Sequence, residues 1–341
     1  MLRVAVIAGG VGGAKFVRGL RSALTPEDRV DVVVNTGDDM WLTGVRVCPD
    51  LDSMMYALAG VNDAVRGWGR QHESERVSAE LTAYGVGWPW FTLGDLDLGT
   101  HLARTAMLRE GRTLSDVTDR LCSRWADAFR EPQTRLLPAS DDEVETWVRT
   151  EDAGEATEMH FEEWWVRTRA SAPAQRFIQR GAEEAVAAPG AAEALGAADV
   201  ILLAPSNPVV SVGTVLGLSG EGGQAGLPGI PGAGEALRTA AAPVVGVSPI
   251  IGEAPIHGMA RECLEVLGHD CSAAAVARAY GARRAGGLLD GWLVDEQDES
   301  CLAELEATGI RAESVPLRMR DEHTSRRLAQ DALSLATALS S

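Results

Sequence analysis

The sequence predicts an α/β protein built on a Rossmann-like, mainly parallel sheet, with helices on both faces and a helical and β-rich insertion region. Three stretches carry this. Residues 2–8 form a short apolar run ending in glycines, a helical pattern follows through Phe16, Val17, Leu20 and Leu24, and Asp31 to Val34 form a second apolar run. Strand, glycine turn, helix and strand in that order make a βαβ unit, which favours parallel pairing. The same kind of strand returns at Asp199 to Ala204 and at Pro243 to Val247. Runs this apolar fit strands covered on both faces.

Between these blocks the periodicity changes. Residues 51–135 read as mainly helical. Ser53 to Leu58 starts one helix, and Thr100 to Glu110 forms another with Asp97, Gly99 and Thr100 as cap candidates. Thr113 to Ala128 spaces Leu114, Val117, Leu121 and Trp125 along one helical face. Glu143 to Arg169 reads as β-rich, with strands at Thr146 to Val148 and at Trp164 to Val166. Trp292 to Asp295 predicts a late strand, and residues 322–340 a terminal helix. Residues 219–234, dense in glycine and broken by Pro228 and Pro231, predict a flexible surface loop. The expectation is a single Rossmann-like domain over residues 1–341.

Composition narrows the partners. The formal net charge is −18, from 49 acidic and 31 basic residues, and such a surface repels nucleic acid and anionic membranes. A hydrophobic fraction of 45% supports a packed core. The opening apolar run at residues 2–8 is too short for a secretory signal, and no run of about 18 apolar residues predicts a membrane span. Cys48, Cys122, Cys263, Cys271 and Cys301 form neither a C-x-x-C pair nor a zinc pattern. They fit reduced thiols in a cytoplasmic protein.

The residues with chemical potential sit where strands end. Gly9-Gly10-Val11-Gly12-Gly13-Ala14-Lys15 follows the first strand and opens a helix. Glycines let backbone amides approach an anion closely, and the helix N-terminus favours negative charge. It is neither a Walker loop, since no Ser or Thr follows Lys15, nor a full dinucleotide fingerprint, since the third glycine is missing. The second strand ends in Asn35-Thr36-Gly37-Asp38-Asp39, and Asp50 and Asp52 follow. Four carboxylates within 15 residues repel one another unless a cation joins them. Asp52 also reads as a helix cap. Ser206, Asn207 and Ser248 stand at two further strand ends, where ligands of open parallel sheets bind, and read equally as turn residues. His101 and the Trp164-Trp165 pair fit structural roles as well as catalytic or stacking ones.

In this order the glycine loop, Asn35 to Asp39, Pro49 to Tyr56, Gly94-Asp95 with Asp97 and His101, and His160 to Val166 resemble one family. So do Ala204 to Ser211, Ser248 to Gly252 and Gly291 to Asp295. The resemblance is to the phospholactate and phosphoenolpyruvate transferases of coenzyme F-420 biosynthesis, most of all their actinobacterial branch. It implies a homodimer, Mg2+, a guanosine diphosphate-linked three-carbon acid as donor, and a deazaflavin precursor as acceptor. A ribityl hydroxyl then attacks phosphorus and GMP leaves. Carried onto this chain, the catalytic set is Asp38, Asp50 and Asp52. Asp38 and Asp50 take the metal or diphosphate chemistry, and Asp52 the acceptor. Gly9, Gly10, Gly12, Gly13, Lys15, Ser206, Asn207 and Ser248 line the guanosine and phosphate site. Asn35, Thr36, Asp39, Asp95 and His101 complete the substrate-binding set. The family carries arginine where this chain has Leu96. Leucine cannot donate a guanidinium's hydrogen bonds, and Arg104 is the nearby candidate to replace them. A regulatory nucleotide-sugar binder on the same scaffold is the rival reading, and the missing third glycine disfavours a dehydrogenase.

Overall fold

A computed structural model describes residues 1–87, 89–152 and 155–340. Trp88, within the 51–135 segment, and Ala153 and Gly154, within the stretch read as β-rich, lie outside the described residues, as does Ser341. Strand β1 (Arg3–Ala8) runs into helix α1 (Val11–Ala23), and β2 (Arg29–Val34) returns beside it. A hairpin of β3 (Met40–Leu42) and β4 (Val45–Val47) turns through Thr43 and Gly44, both at positive φ. Next come α2 (Pro49–Ala59), α3 (Arg76–Ala83), α4 (Asp95–Arg109) and α5 (Leu114–Cys122), before β5 (Gln133–Pro138) re-enters the sheet.

The antiparallel strands β6 (Glu145–Asp152), β7 (Glu155–His160) and β8 (Ala174–Arg180) pair in the order β7-β6-β8. Helix α6 (Pro189–Ala197) leads to β9 (Val200–Leu203), and α7 (Thr214–Leu216) and α8 (Ala233–Thr239) to β10 (Val244–Val247). The short pair β11 (Ile250–Ile251) and β12 (Ala254–Pro255) precedes α9 (Ala260–Val266) and α10 (Ala273–Tyr280). The chain closes with β13 (Gly291–Val294), α11 (Leu302–Thr308), β14 (Arg311–Ser314) and α12 (Glu322–Leu339).

The main sheet has seven strands in the order β14-β13-β10-β9-β1-β2-β5, and every pairing is parallel. The expected Rossmann-like class is what the chain adopts. Alternation along β1 explains the two cores. Val4, Val6 and Ala8 face one, with α1, α2 and α12, while Ala5 and Ile7 face the other, with α6, α8 and α10. Helices α1 and α12 touch closely, since a Cβ on Gly19 would lie 2.3 Å from the Ser325 carbonyl carbon. From β1 the chain moves outward through β2 and β5, then crosses back to β9 and continues the other way. The switch of direction lies between β1 and β9, where open α/β sheets leave a crevice at their strand ends.

Three expectations change. Trp164 to Val166 is not a strand but part of a π-helical turn, Glu163–Arg167. That turn buries Trp164 against Phe161 and Phe177 and turns Trp165 partly outward. Short apolar runs fit either period, and packing decided this one. Asp52 is not a cap, because α2 starts at Pro49 with Cys48 at the N-cap. Proline suits a first helical position, its missing N–H being unpaired there anyway. In the glycine-rich segment, Leu227 bridges to Leu218, Ile230 is buried, and α8 begins at Ala233. Glycine here serves close approach, since a Cβ on Gly229, at φ 76°, would sit 2.3 Å from the Gly217 nitrogen. Among the described residues, no helix is long and apolar enough to cross a membrane.

Candidate active site

The crevice between β1 and β9 is built from the glycine loop upward. The Gly9 amide donates to Ser206 Oγ at 3.0 Å, tying the loop after β1 to the turn after β9. A Cβ on Gly10 would stand 2.5 Å from Asp50 Oδ1, and one on Gly9 2.3 Å from Ser211 Oγ. On Gly13 it would meet Ala8 and Ser206, and on Gly12 the Pro205 carbonyl. These glycines are needed because side chains from α2 and from the turn after β9 press against the loop backbone.

Asn35, fully buried at the end of β2, organises the acids. Its Nδ2 donates to Asp38 Oδ2 at 3.2 Å, to Asp50 Oδ2 at 3.0 Å and to the Val210 carbonyl at 3.2 Å. Its Oδ1 accepts from the Gly37 amide at 2.9 Å and from Thr214 Oγ1 at 2.7 Å. Its amide is thus committed to protein partners, which makes it a bracket for two carboxylates. Asp38 Oδ1 is buried with no hydrogen-bond partner among the described residues. Burial, then the charges of Asp50, Glu162 and Asp39, push the Asp38 pKa well above the carboxylate range. Burial pushes Asp50 up to about 6 against the hydrogen bonds from Asn35 and Gly10 that hold it down. Glu162, from the turn after β7, is pushed up to about 8 by burial and by Asp50. No arginine or lysine pairs with Asp38, Asp50 or Glu162 among the described residues.

Asp52 lies two residues past Asp50 on the same helix, about 200° around its axis. It faces α4. Arg104 donates to Asp52 Oδ1 and, at 3.1 Å, to His101 Nδ1. His101 Nδ1 lies 3.5 Å from Asp52 Oδ2, and its Nε2 3.4 Å from Asp97 Oδ1. Tyr56 donates to the same Asp97 oxygen at 2.8 Å. A guanidinium only donates, so in the neutral imidazole Nδ1 accepts and the proton sits on Nε2, toward Asp97. Asp52, Asp97 and His101 each offer a ligand atom, all within 4.8 Å of one another, so this triad has the composition of a metal site. Arg104, however, already neutralises Asp52 there.

The structure gathers Gly9, Gly10, Gly12, Gly13, Asn35, Asp38, Asp50 and Ser206 around one crevice. Asp52 and His101 belong to the second cluster, and His101 is fully buried. Asp39 turns the other way, 4.0 Å from Arg46, and burial pushes it up to about 7 against that guanidinium. Thr36 is buried with its hydroxyl unpartnered. Asn207 caps the turn Pro208–Gly213 through the amides of Val209 and Val210. Ser248 closes its own turn on Ile250. Asp95 binds the Ser74 amide and hydroxyl. Arg104 does not replace the arginine missing at Leu96, since it is buried on Asp52 while Leu96 is 38% exposed. Sequence reasoning missed Glu162 because nothing local marks it. Only tertiary packing turns Glu162 toward Asp50.

Residues 4–331 match the family model described as 2-phospho-L-lactate transferase CofD. The chain is 50% identical to a phosphoenolpyruvate transferase of Streptomyces griseus and 49% to one of Streptomyces coelicolor, each alignment covering 98% of both chains. With the phosphoenolpyruvate transferase of Mycolicibacterium smegmatis it shares 47% identity over 98% of this chain and 99% of that one. A solved structure of a UPF0052 family member from Bacillus halodurans superposes with a TM-score of 0.63 at 17% identity, covering 97% of this chain and 98% of that one, which speaks for the fold.

Proposed function

The chain belongs to the 2-phospho-L-lactate transferase CofD family and is a transferase, and from that premise we propose its reaction. It moves a phosphoenolpyruvyl or phospholactyl group from a guanosine diphosphate-linked donor to a deazaflavin precursor and releases GMP, in coenzyme F-420 biosynthesis. The observation that supports this best is the pair Asp38 and Asp50, two carboxylates bound to one Asn35 amide beside a glycine loop, with no basic side chain to neutralise them among the described residues.

Asp38 and Asp50 would hold Mg2+. Their all-oxygen donor set suits that ion, and the unpartnered Asp38 Oδ1 is the atom left for it. Bound by Asp38 and Asp50, such a cation would supply charge neutralisation for the donor's diphosphate. The glycine loop and the first turn of α1 offer backbone N–H groups to phosphate oxygens. Asn35 positions both acids. The acceptor hydroxyl attacks phosphorus in line with the leaving GMP oxygen, so no protein nucleophile is required. Asp52 acts as a positioning residue: with Arg104 and His101 it fixes α2 against α4, and hence the direction of Asp50.

Incubating the protein with Mg2+, the deazaflavin precursor and guanylated donors carrying enolpyruvate or lactate tests the reading by product mass. A product heavier by the phosphoryl acid, with one GMP per turnover, is expected. Donor hydrolysis without acceptor modification would overturn it.

A further inference from the structure

Lys15 is the sole lysine among 31 basic residues; every other one is arginine. It lies in the second turn of α1, and its Nζ lies 3.5 Å from Nε2 of His257, which the segment after β12 brings in from 242 positions away. An ammonium only donates, so the imidazole accepts. Both groups are solvent-accessible, and neither pairs with a carboxylate among the described residues, although acids outnumber bases 49 to 31. Two bases that meet each other in an acidic protein leave an opening for an anion. Arginine is the better fork for a fixed carboxylate, whereas lysine is a compact point charge that follows a moving one.

We propose that Lys15 and His257 together seat an anionic group of the donor, its three-carbon carboxylate or its diphosphate, at the outer edge of the glycine loop. The inference rests on the transferase reading above and adds His257 to the donor site. Partial burial and the Lys15 charge hold the His257 pKa below its ordinary value, so the imidazole is a neutral acceptor until an anion arrives. An anion between the two accepts from both, and the imidazole then gains a proton to become a second donor.

A single lysine makes the test direct. Trace acetylation of the full-length protein, read by mass spectrometry of the Lys15 peptide with the Met1 amine as internal reference, measures how exposed the ammonium is. Saturating enolpyruvyl donor is expected to cut Lys15 labelling about tenfold. GDP giving the same protection assigns the seat to the diphosphate, and protection by the donor alone assigns it to the carboxylate. His257→Ala should raise the donor KM about tenfold while kcat changes less than about twofold. If the donor binds and turns over yet Lys15 stays fully reactive, the inference falls and the transferase reading stands. If no guanylated donor binds at all, both fall. An unchanged donor KM in His257→Ala removes that residue from the site.

Discussion

Asp50 and Asp52 sit on the same first turn of α2, yet they meet opposite surroundings. Asp52 is answered by Arg104, and Asp97 by Tyr56 with His101 Nε2 at 3.4 Å. Asp50 is answered by an amide it shares with Asp38, and the Glu162 carboxyl beside it has its pKa pushed up to about 8. One side is a buried network in which a guanidinium meets Asp52 directly and ties α2 to α4. The other is a group of acids that no basic side chain answers among the described residues, the arrangement the proposed cation would need. Pairing thus separates framework from chemistry where residue type does not.

The sharpest break of that comparison is in turnover. Asp38→Asn or Asp50→Asn should lower kcat about a thousandfold, with a melting temperature unchanged or higher because like-charge repulsion is relieved. Product assays alongside thermal melts check both halves. The opposite pattern is expected across α2. Asp52→Ala strands the buried Arg104 charge and should cost about 3 kcal/mol of stability, read by urea unfolding. Arg104→Met with Asp52→Leu should restore much of it. Gly10→Ala comes next, since its Cβ would displace Asp50 Oδ1. Donor affinity should fall about tenfold, measured by titration, with little loss of stability.

The smallest effect is in pH. Asp50 at about 6 and Glu162 at about 8 lie above the range of about 4 of unfolded carboxylates. A folded-state pKa raised in this way means the native state holds its protons longer. Stability therefore declines as pH rises from about 4 through 8. A cation at the site cancels that loss. Added Mg2+ should raise the melting temperature by about 3 °C at pH 8 and by much less at pH 5.

Much of this was legible in the chain. The βαβ unit showed because β1 and β2 are apolar throughout and flank a glycine turn, a pattern that local sequence carries unaided. Asp38 and Asp50 showed as acids at a strand end. The direction each faces did not, because it depends on where α2 begins, and Pro49 starts that helix earlier than a capping Asp52 would. Arg104 was legible as a cation and not as a partner, since its distance from Asp52 is set by how α4 lies on α2. Glu162 and His257 were invisible for the same reason. Glu162 meets Asp50, and His257 meets Lys15, from elements far away in sequence, and no local period records that. Trp164 was misread because three apolar residues fit a strand and a helical turn equally well, until Phe161 and Phe177 close around it.

Crystals grown with GDP and Mn2+, measured at the manganese absorption edge, decide which carboxylates hold the cation. An anomalous peak held by Asp38 and Asp50 beside the diphosphate is expected. A peak held instead by Asp52, Asp97 and His101, with Arg104 displaced, would contradict it.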